Sequence, residues 1–196
     1  MNKLIILDRD GVINQDSDNF IKSVDQFRPI PGSLNAIARL YQAGYRIMVA
    51  TNQSGIFRGL FSLNELTAMH TKLQHLLSPL NARIEHFYFC PHGPDEQCDC
   101  RKPKPGMFKQ IARDFFSLSD DNSIRQKLAN VYTVGDSLRD LQAGRAAGCK
   151  IALVKTGKGL RTLKQINQNH LNEYSQLPIY TDLADFTDHL LNQSNS

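Results

Sequence analysis

The chain predicts an α/β protein built on one doubly wound parallel sheet. Apolar runs of strand length recur at residues 4–7, 45–50, 84–89, 131–134 and 150–154. Segments with apolar residues at helical spacing lie between them, and strand–helix alternation with short links is the pattern of right-handed parallel crossovers. Three of the strands also end in polar clusters, as strands do where an open α/β sheet binds ligands.

Leu4-Ile5-Ile6-Leu7 is a buried strand that breaks into Asp8-Arg9-Asp10-Gly11. Residues 14–27 are polar, with Asp16, Ser17, Asp18, Asn19 and Asp25, and read as a loop beside the opening acids. A turn at 28–33 offers Ser33 as an N-cap. Leu34, Ile37, Ala38, Leu40 and Tyr41 then form a helical stripe ended by Gly44. The second strand, 45–50, ends in Thr51-Asn52-Gln53-Ser54-Gly55. Ser62 and Glu65 make a capping box for a helix with Leu66, Met69, Leu73, Leu76 and Leu77 on one face.

The third strand, 84–89, runs into a Cys/His-rich segment and then Arg101-Lys102, before a helix from Pro105 to about Phe116. Residues 117–130 are polar, helical or loop-like. The fourth strand ends in Gly135-Asp136, and a helix at 138–147 closes at Gly148. After the fifth strand, Thr156 to Gly159 is a loop. A polar stretch, a short strand near Ile179 and a last helix at about 183–191 follow, with fraying expected from 192 to 196. No repeat or linker divides the chain, so residues 1–196 read as a single domain.

The totals fit that reading. A chain of 196 residues that is 41% hydrophobic and 21% charged can bury one ordinary core. The net charge of +4 comes without a basic run, so neither a nucleic-acid partner nor a membrane is indicated. The N-terminal apolar run is too short for a signal peptide, which places the chain in the cytoplasm. In that compartment four cysteines favour metal or free thiols over disulfides.

In a parallel sheet, Asp8 and Asp10, Thr51 to Ser54, and Asp136 emerge on one edge, with Arg101 and Lys102 opening a helix beside them. Any one of these residues alone is equally a cap, a turn or a solvated charge; their coincidence at successive strand ends carries the argument. Carboxylates without histidine suit Mg2+, and Thr, Asn, Lys and Arg donate to phosphoryl oxygens. Separately, Cys90, His92, Cys98 and Cys100 give three thiolates and an imidazole within eleven residues, the ligand set of a closed tetrahedral Zn2+ site in a loop at 90–100. Chance or redox cysteines are the competing reading. A zinc-braced loop leading into Arg101-Lys102 would fix those cations in place.

At residues 4–155 the chain resembles the haloacid dehalogenase superfamily. The matching motifs are Asp8-x-Asp10-Gly11, Thr51, Lys102 before a helix, and Gly135-Asp136-x-x-x-Asp140, in that order on those elements. The resemblance implies a Rossmann-like sheet in the order 5-4-1-2-3. It implies Asp8 as a nucleophile forming an aspartyl-phosphate and Asp10 as a general acid and base whose pKa should be raised. It further implies Mg2+ on Asp8, the Asp10 carbonyl and Asp136, with Thr51 and Lys102 on the transferring phosphoryl and Asp140 orienting Lys102.

The zinc motif and Arg101-Lys102-Pro103 resemble the group containing histidinol-phosphatases and heptose-1,7-bisphosphate 7-phosphatases, and Thr51 to Gly55 is similar to the heptose enzymes. That likeness implies a phosphatase releasing the C7 phosphate in nucleotide-heptose and lipopolysaccharide core biosynthesis, a monomer acting on a small phosphorylated sugar. It implies substrate contacts from Asp16, Ser17, Asp18, Asn19, Asn52, Gln53, Ser54 and Arg101, the last gripping a second phosphate. The alternatives are histidinol-phosphate hydrolysis and a binding protein with a vestigial site. Ser137 departs from the Lys found there in some heptose phosphatases. Only 36 residues separate Asn14 from Thr51, too few for a large cap domain.

Overall fold

The computed structural model describes residues 3–193. Six parallel strands form one sheet: β1 (Lys3–Leu7), β2 (Tyr45–Asn52), β3 (His86–Cys90), β4 (Tyr132–Gly135), β5 (Lys150–Val154) and β6 (Ile179–Tyr180). Their order is β3-β2-β1-β4-β5-β6, the expected arrangement with the short sixth strand added at one edge. β1 therefore lies centrally, with Leu7 opposite Val49 on one side and Val134 on the other. That register brings the exits of β1, β2 and β4 to one level of the sheet edge.

Side chains alternate between the two faces of the sheet. Ile5, Leu7, Ile47 and Val49 face α1 (Ser33–Gln42), α2 (Leu63–Leu77) and α7 (Leu183–Gln193). Leu4, Ile6, Met48 and Ala50 face α3 (Gly106–Phe116), α4 (Asp121–Leu128) and α5 (Leu138–Ala147). A smaller cluster of Leu141, Leu153, Ile166 and Tyr174 seats α6 (Gly159–Gln168) beside β5. The central strands are covered on both faces, so β1 and β2 read as nearly continuous apolar runs, with Lys3 and Arg46 exposed near their starts. No helix among the described residues is long and apolar enough to cross a membrane.

Several boundaries move for identifiable reasons. Gly32, in the left-handed region at φ 84°, precedes α1 in place of Ser33. Ser33 instead donates its hydroxyl to the Ile13 carbonyl at 2.7 Å, tying α1 to the loop after β1. Ile84 is excluded from β3 because the Gln74 amide takes both its backbone groups, at 3.0 and 2.7 Å. Asp120 caps α4 through the Ser123 N–H. The capping box of Ser62 and Glu65 is present at 3.2 and 2.6 Å. At the C-terminus, Asn192 and Gln193 continue α7, and the rest of the segment expected to fray lies outside the described residues.

Candidate active site

The exits of β1, β2 and β4 line a cavity of about 350 Å³ at the C-terminal edge of the sheet. Asp8, Asp10, Thr51, Lys102 and Asp136 all open into it. So do Asp16, Ser17 and Asp18 from the loop after β1, Asn52, Gln53 and Ser54 after β2, and Arg101 before α3. Asn19 does not: it is exposed, and its backbone N–H is taken by the Ser17 hydroxyl at 3.1 Å.

Lys102 reaches the site from below, almost wholly buried. Its ammonium contacts Asp8 Oδ1 at 2.9 Å, Asp140 Oδ1 at 2.5 Å and the Ala50 carbonyl at 2.8 Å, which uses all three of its hydrogens. Burial alone would lower its pKa, but Asp140 and Asp8 push it up to about 12. The other oxygen of Asp140 accepts from Ser137 through N–H at 2.9 Å and O–H at 2.6 Å. Asp140 is thereby committed to holding Lys102 and the start of α5. Asn52 holds the Lys102 backbone at both ends, accepting its N–H and donating to its carbonyl at 3.0 Å each.

Asp8, Asp136 and Asp140 offer oxygens within 4.8 Å of one another. Burial, then the charge of Asp140, pushes Asp8 up to about 7 despite Lys102. Burial, then Asp140 and Asp8, pushes Asp136 up to about 8. Crowded, desolvated carboxylates in excess of their lysine fit a hard divalent cation, which favours the deprotonated form. Asp136 is held for such a role by the Lys158 N–H, which donates to Oδ2 at 2.7 Å. Two glycines admit this packing. A Cβ on Gly11, at φ 82°, would lie 2.0 Å from Asp136 Oδ2, and one on Gly157, at φ 56°, 2.2 Å from it.

Asp10 corrects an expectation. Its Oδ1 accepts from Arg9 Nε and Nη2 at 3.2 and 3.0 Å and from Asn14 at 2.7 Å. Its Oδ2 accepts from Arg9 Nη2 and Gln53 Nε2 at 2.9 Å each. Burial pushes the Asp10 carboxyl up, but the adjacent guanidinium and these bonds outweigh it and hold the group below the usual carboxylate range. The Asp10 carboxyl, expected to be raised, is therefore lowered, while that of the nucleophile candidate Asp8 is raised. Arg9, fully buried, is the main cause of the lowering at Asp10, and burial and Asp140 are the causes of the rise at Asp8.

The cysteine cluster stands apart from the cavity. Cys90 ends β3, and edges of 3.6 Å from Cys90 Sγ to His92 Nδ1, 3.6 Å to Cys98 Sγ, 3.2 Å from His92 Nδ1 to Cys100 Sγ and 3.5 Å between Cys98 and Cys100 link four ligand atoms that all lie within 4.8 Å of one another. Bonds of about 2.0–2.3 Å to a central Zn2+ give edges of this size, so the four residues fit a structural zinc. The loop grips Arg101, whose Nη1 donates to the His92 carbonyl at 3.1 Å.

Sequence reasoning missed the segment from Thr156 to Gly159. The Thr156 hydroxyl donates to the Gly11 carbonyl at 2.6 Å, and the Lys158 ammonium pairs with Asp16 at 2.8 Å across the cavity rim. Arg58 and Arg139 line the same cavity. A polar, glycine-rich link after β5 was a readable signal for the first of these, since that strand ends on the same sheet edge.

Residues 99–185 match the HAD-hydrolase-like family. A D-glycero-beta-D-manno-heptose-1,7-bisphosphate 7-phosphatase of Neisseria meningitidis is 47% identical over 194 residues, covering 99% of this chain and 97% of its own. The enzyme of that name from Pseudomonas aeruginosa is 52% identical over 82% of this chain and 85% of its own. A solved D,D-heptose 1,7-bisphosphate phosphatase of B. bronchiseptica, complexed with magnesium and phosphate, superposes with a TM-score of 0.86 at 48% identity, covering 97% of this chain and 99% of that one. The chain belongs to the D-glycero-beta-D-manno-heptose-1,7-bisphosphate 7-phosphatase family of HAD-like hydrolases.

Proposed function

We propose that the chain is a Mg2+-dependent phosphatase that removes the C7 phosphate of D-glycero-beta-D-manno-heptose 1,7-bisphosphate. One observation carries this reading: a carboxylate nucleophile, a second carboxylate two residues on, a buried lysine and a threonine hydroxyl converge in one cavity whose rim bears Arg101, Arg139 and Lys158. A cationic rim over a carboxylate-rich floor suits a substrate with two phosphates, one at the reacting centre and one held outside it. Asp8, Asp136 and the Asp10 carbonyl would hold Mg2+, which would supply charge neutralisation at the reacting phosphoryl group.

The chain's own groups divide the rest. Asp8 attacks phosphorus as the bond to the sugar oxygen breaks, giving an aspartyl-phosphate, and Asp10 gives the leaving oxygen its proton. Asp10 then takes a proton from the water that hydrolyses the acyl phosphate, releasing orthophosphate. Resting ionised against Arg9, Asp10 must take up a proton before the first transfer. As Asp8 bonds to phosphorus, the hydrogen that Lys102 gives it turns to an equatorial oxygen, Thr51 donates to another, and Arg101 takes the non-reacting phosphate.

Phosphate release from the heptose bisphosphate and from histidinol phosphate, with Mg2+ present, tests the assignment. A higher kcat/KM is expected for the bisphosphate; the reverse order makes the chain a histidinol-phosphatase. Asp8→Asn is expected to lose on the order of 10³-fold or more in kcat. A variant as active as its parent removes the covalent mechanism.

A further inference from the structure

Gln53 is placed differently from the other polar residues after β2. Its side chain is 4% exposed, and its single amide nitrogen serves two groups at once, Asp10 Oδ2 at 2.9 Å and Thr51 Oγ1 at 2.8 Å. Its backbone is pinned as well, with the N–H donating to the carbonyl of Cys90 at 2.7 Å. Asp10 Oδ2 and Thr51 Oγ1 both lie at hydrogen-bond distance from the same Gln53 atom, and Oδ2 also accepts from Arg9 Nη2, so the donor nitrogen of the amide is the end that faces them. Both amide hydrogens are then spent.

The consequence for Thr51 is directional. Its hydroxyl has one hydrogen and accepts from Gln53, so that hydrogen is free to point away from Gln53, into the cavity. Thr51 is itself only 1% exposed, leaving few other directions for a donor. Gln53 thus turns Thr51 into a donor toward the phosphoryl site while fixing the Asp10 carboxylate relative to it.

We propose that Gln53 is a positioning residue: its amide couples the acid and base Asp10 to the phosphoryl-binding Thr51, and it sets the rate of transfer more than it binds sugar. The proposal rests on the roles given above to Asp10 and Thr51. Arg9 and Asn14 complete the cradle from the far side of Asp10, so the carboxylate is held on three sides and reaches the cavity on the fourth.

Two variants test it. Gln53→Met keeps the length and removes both donors; Gln53→Glu keeps the shape, sets a like charge against Asp10 in place of a donor and makes Thr51 the donor to residue 53. Steady-state kinetics on the heptose bisphosphate are read beside thermal unfolding of the same samples, and the Glu variant serves should the Met variant fail to fold. The expected result is a kcat lower by ten- to a hundredfold with KM within about threefold of the parent. A KM increase as large as the kcat loss makes Gln53 a substrate contact and overturns the proposal, as does an unchanged kcat. A parent chain inactive on the heptose bisphosphate refutes the substrate assignment instead, and the same comparison is then made on the phosphomonoester that the parent does hydrolyse.

Discussion

His70 shows how far one buried side chain can bias the whole chain's response to acid. On α2, its ring lies parallel to Phe87 with centroids 4.1 Å apart, and its buried Nε2 has no hydrogen-bond partner. Burial, then the charge of Arg9, lowers its pKa to about 3 from 6.5. The unfolded chain therefore binds a proton on His70 below pH 6.5 that the native chain refuses until about pH 3. Native stability falls as pH drops through that window, by ~2 kcal/mol at pH 5 from this residue alone. His70→Phe keeps a ring against Phe87 and removes the titration. Urea unfolding should show the variant gaining about that amount on its parent between pH 7 and pH 5; an equal gap at both pH values rules the effect out. The same guanidinium explains the one reversed expectation at the site. In the sequence, Arg9 is the spacer between two motif aspartates, and nothing in the spacing says that its side chain turns back onto Asp10 instead of out to solvent.

The zinc loop and the Arg101-Lys102 segment behave as separate supports, although they are contiguous in sequence. Arg101 depends on the loop through the His92 carbonyl, whereas Lys102 is held by Asn52, Ala50, Asp8 and Asp140, none of them in the loop. Stripping zinc with a chelator should therefore raise KM several-fold by freeing Arg101 while kcat falls less, with a lower Tm from loss of the crosslink. If kcat collapses with KM unchanged, the loop supports the lysine and the division is wrong. These elements also show what was legible in the chain. The strands and the polar residues at their exits follow from apolar runs, helical stripes and turn residues, all local signals, whereas the strand order and the roles of the motif residues come from the family resemblance. Gly148 and the Ser62 capping box set helix ends within a residue, because caps act through backbone neighbours. Less legible were contacts between distant segments: Gln74 taking the Ile84 backbone, Ser33 reaching Ile13, and Lys158 arriving at Asp136 and Asp16. Asn52, expected on the substrate, faces the Lys102 backbone for the same reason.

At the scale of the molecule, the sheet edge concentrates negative charge that the fold does not balance internally. β1, β4 and α5 bring Asp8, Asp136 and Asp140 together, one ammonium pairs with Asp8 and Asp140, and of the three only Asp140 is held below the usual carboxylate range, where Lys102 and Ser137 overcome its burial. Asp8, raised to about 7, and Asp136, raised to about 8, start from 3.8. Between pH 4 and 8 these two carboxyls thus bind more protons in the native chain than in the unfolded one, the opposite of His70. Their contribution to stability without a divalent cation falls as pH rises through that range, at up to ~1.4 kcal/mol per pH unit for each proton of difference, opposed by His70 below pH 6.5. Mg2+ takes the deprotonated carboxylates and competes with those protons, so its stabilising effect grows in the same direction. Thermal unfolding at pH 6 and pH 8.5, each with and without millimolar Mg2+, separates the two effects. The cation-free Tm should be lower at pH 8.5, and the rise on adding Mg2+ should be larger there. Asp136→Asn should remove most of the Mg2+ response at both pH values while raising the cation-free Tm at pH 8.5, since it deletes a buried like charge. An Mg2+ response independent of pH would show that Asp8 and Asp136 are already ionised at pH 6, and the charge excess at the sheet edge would then have to be balanced by groups other than Lys102.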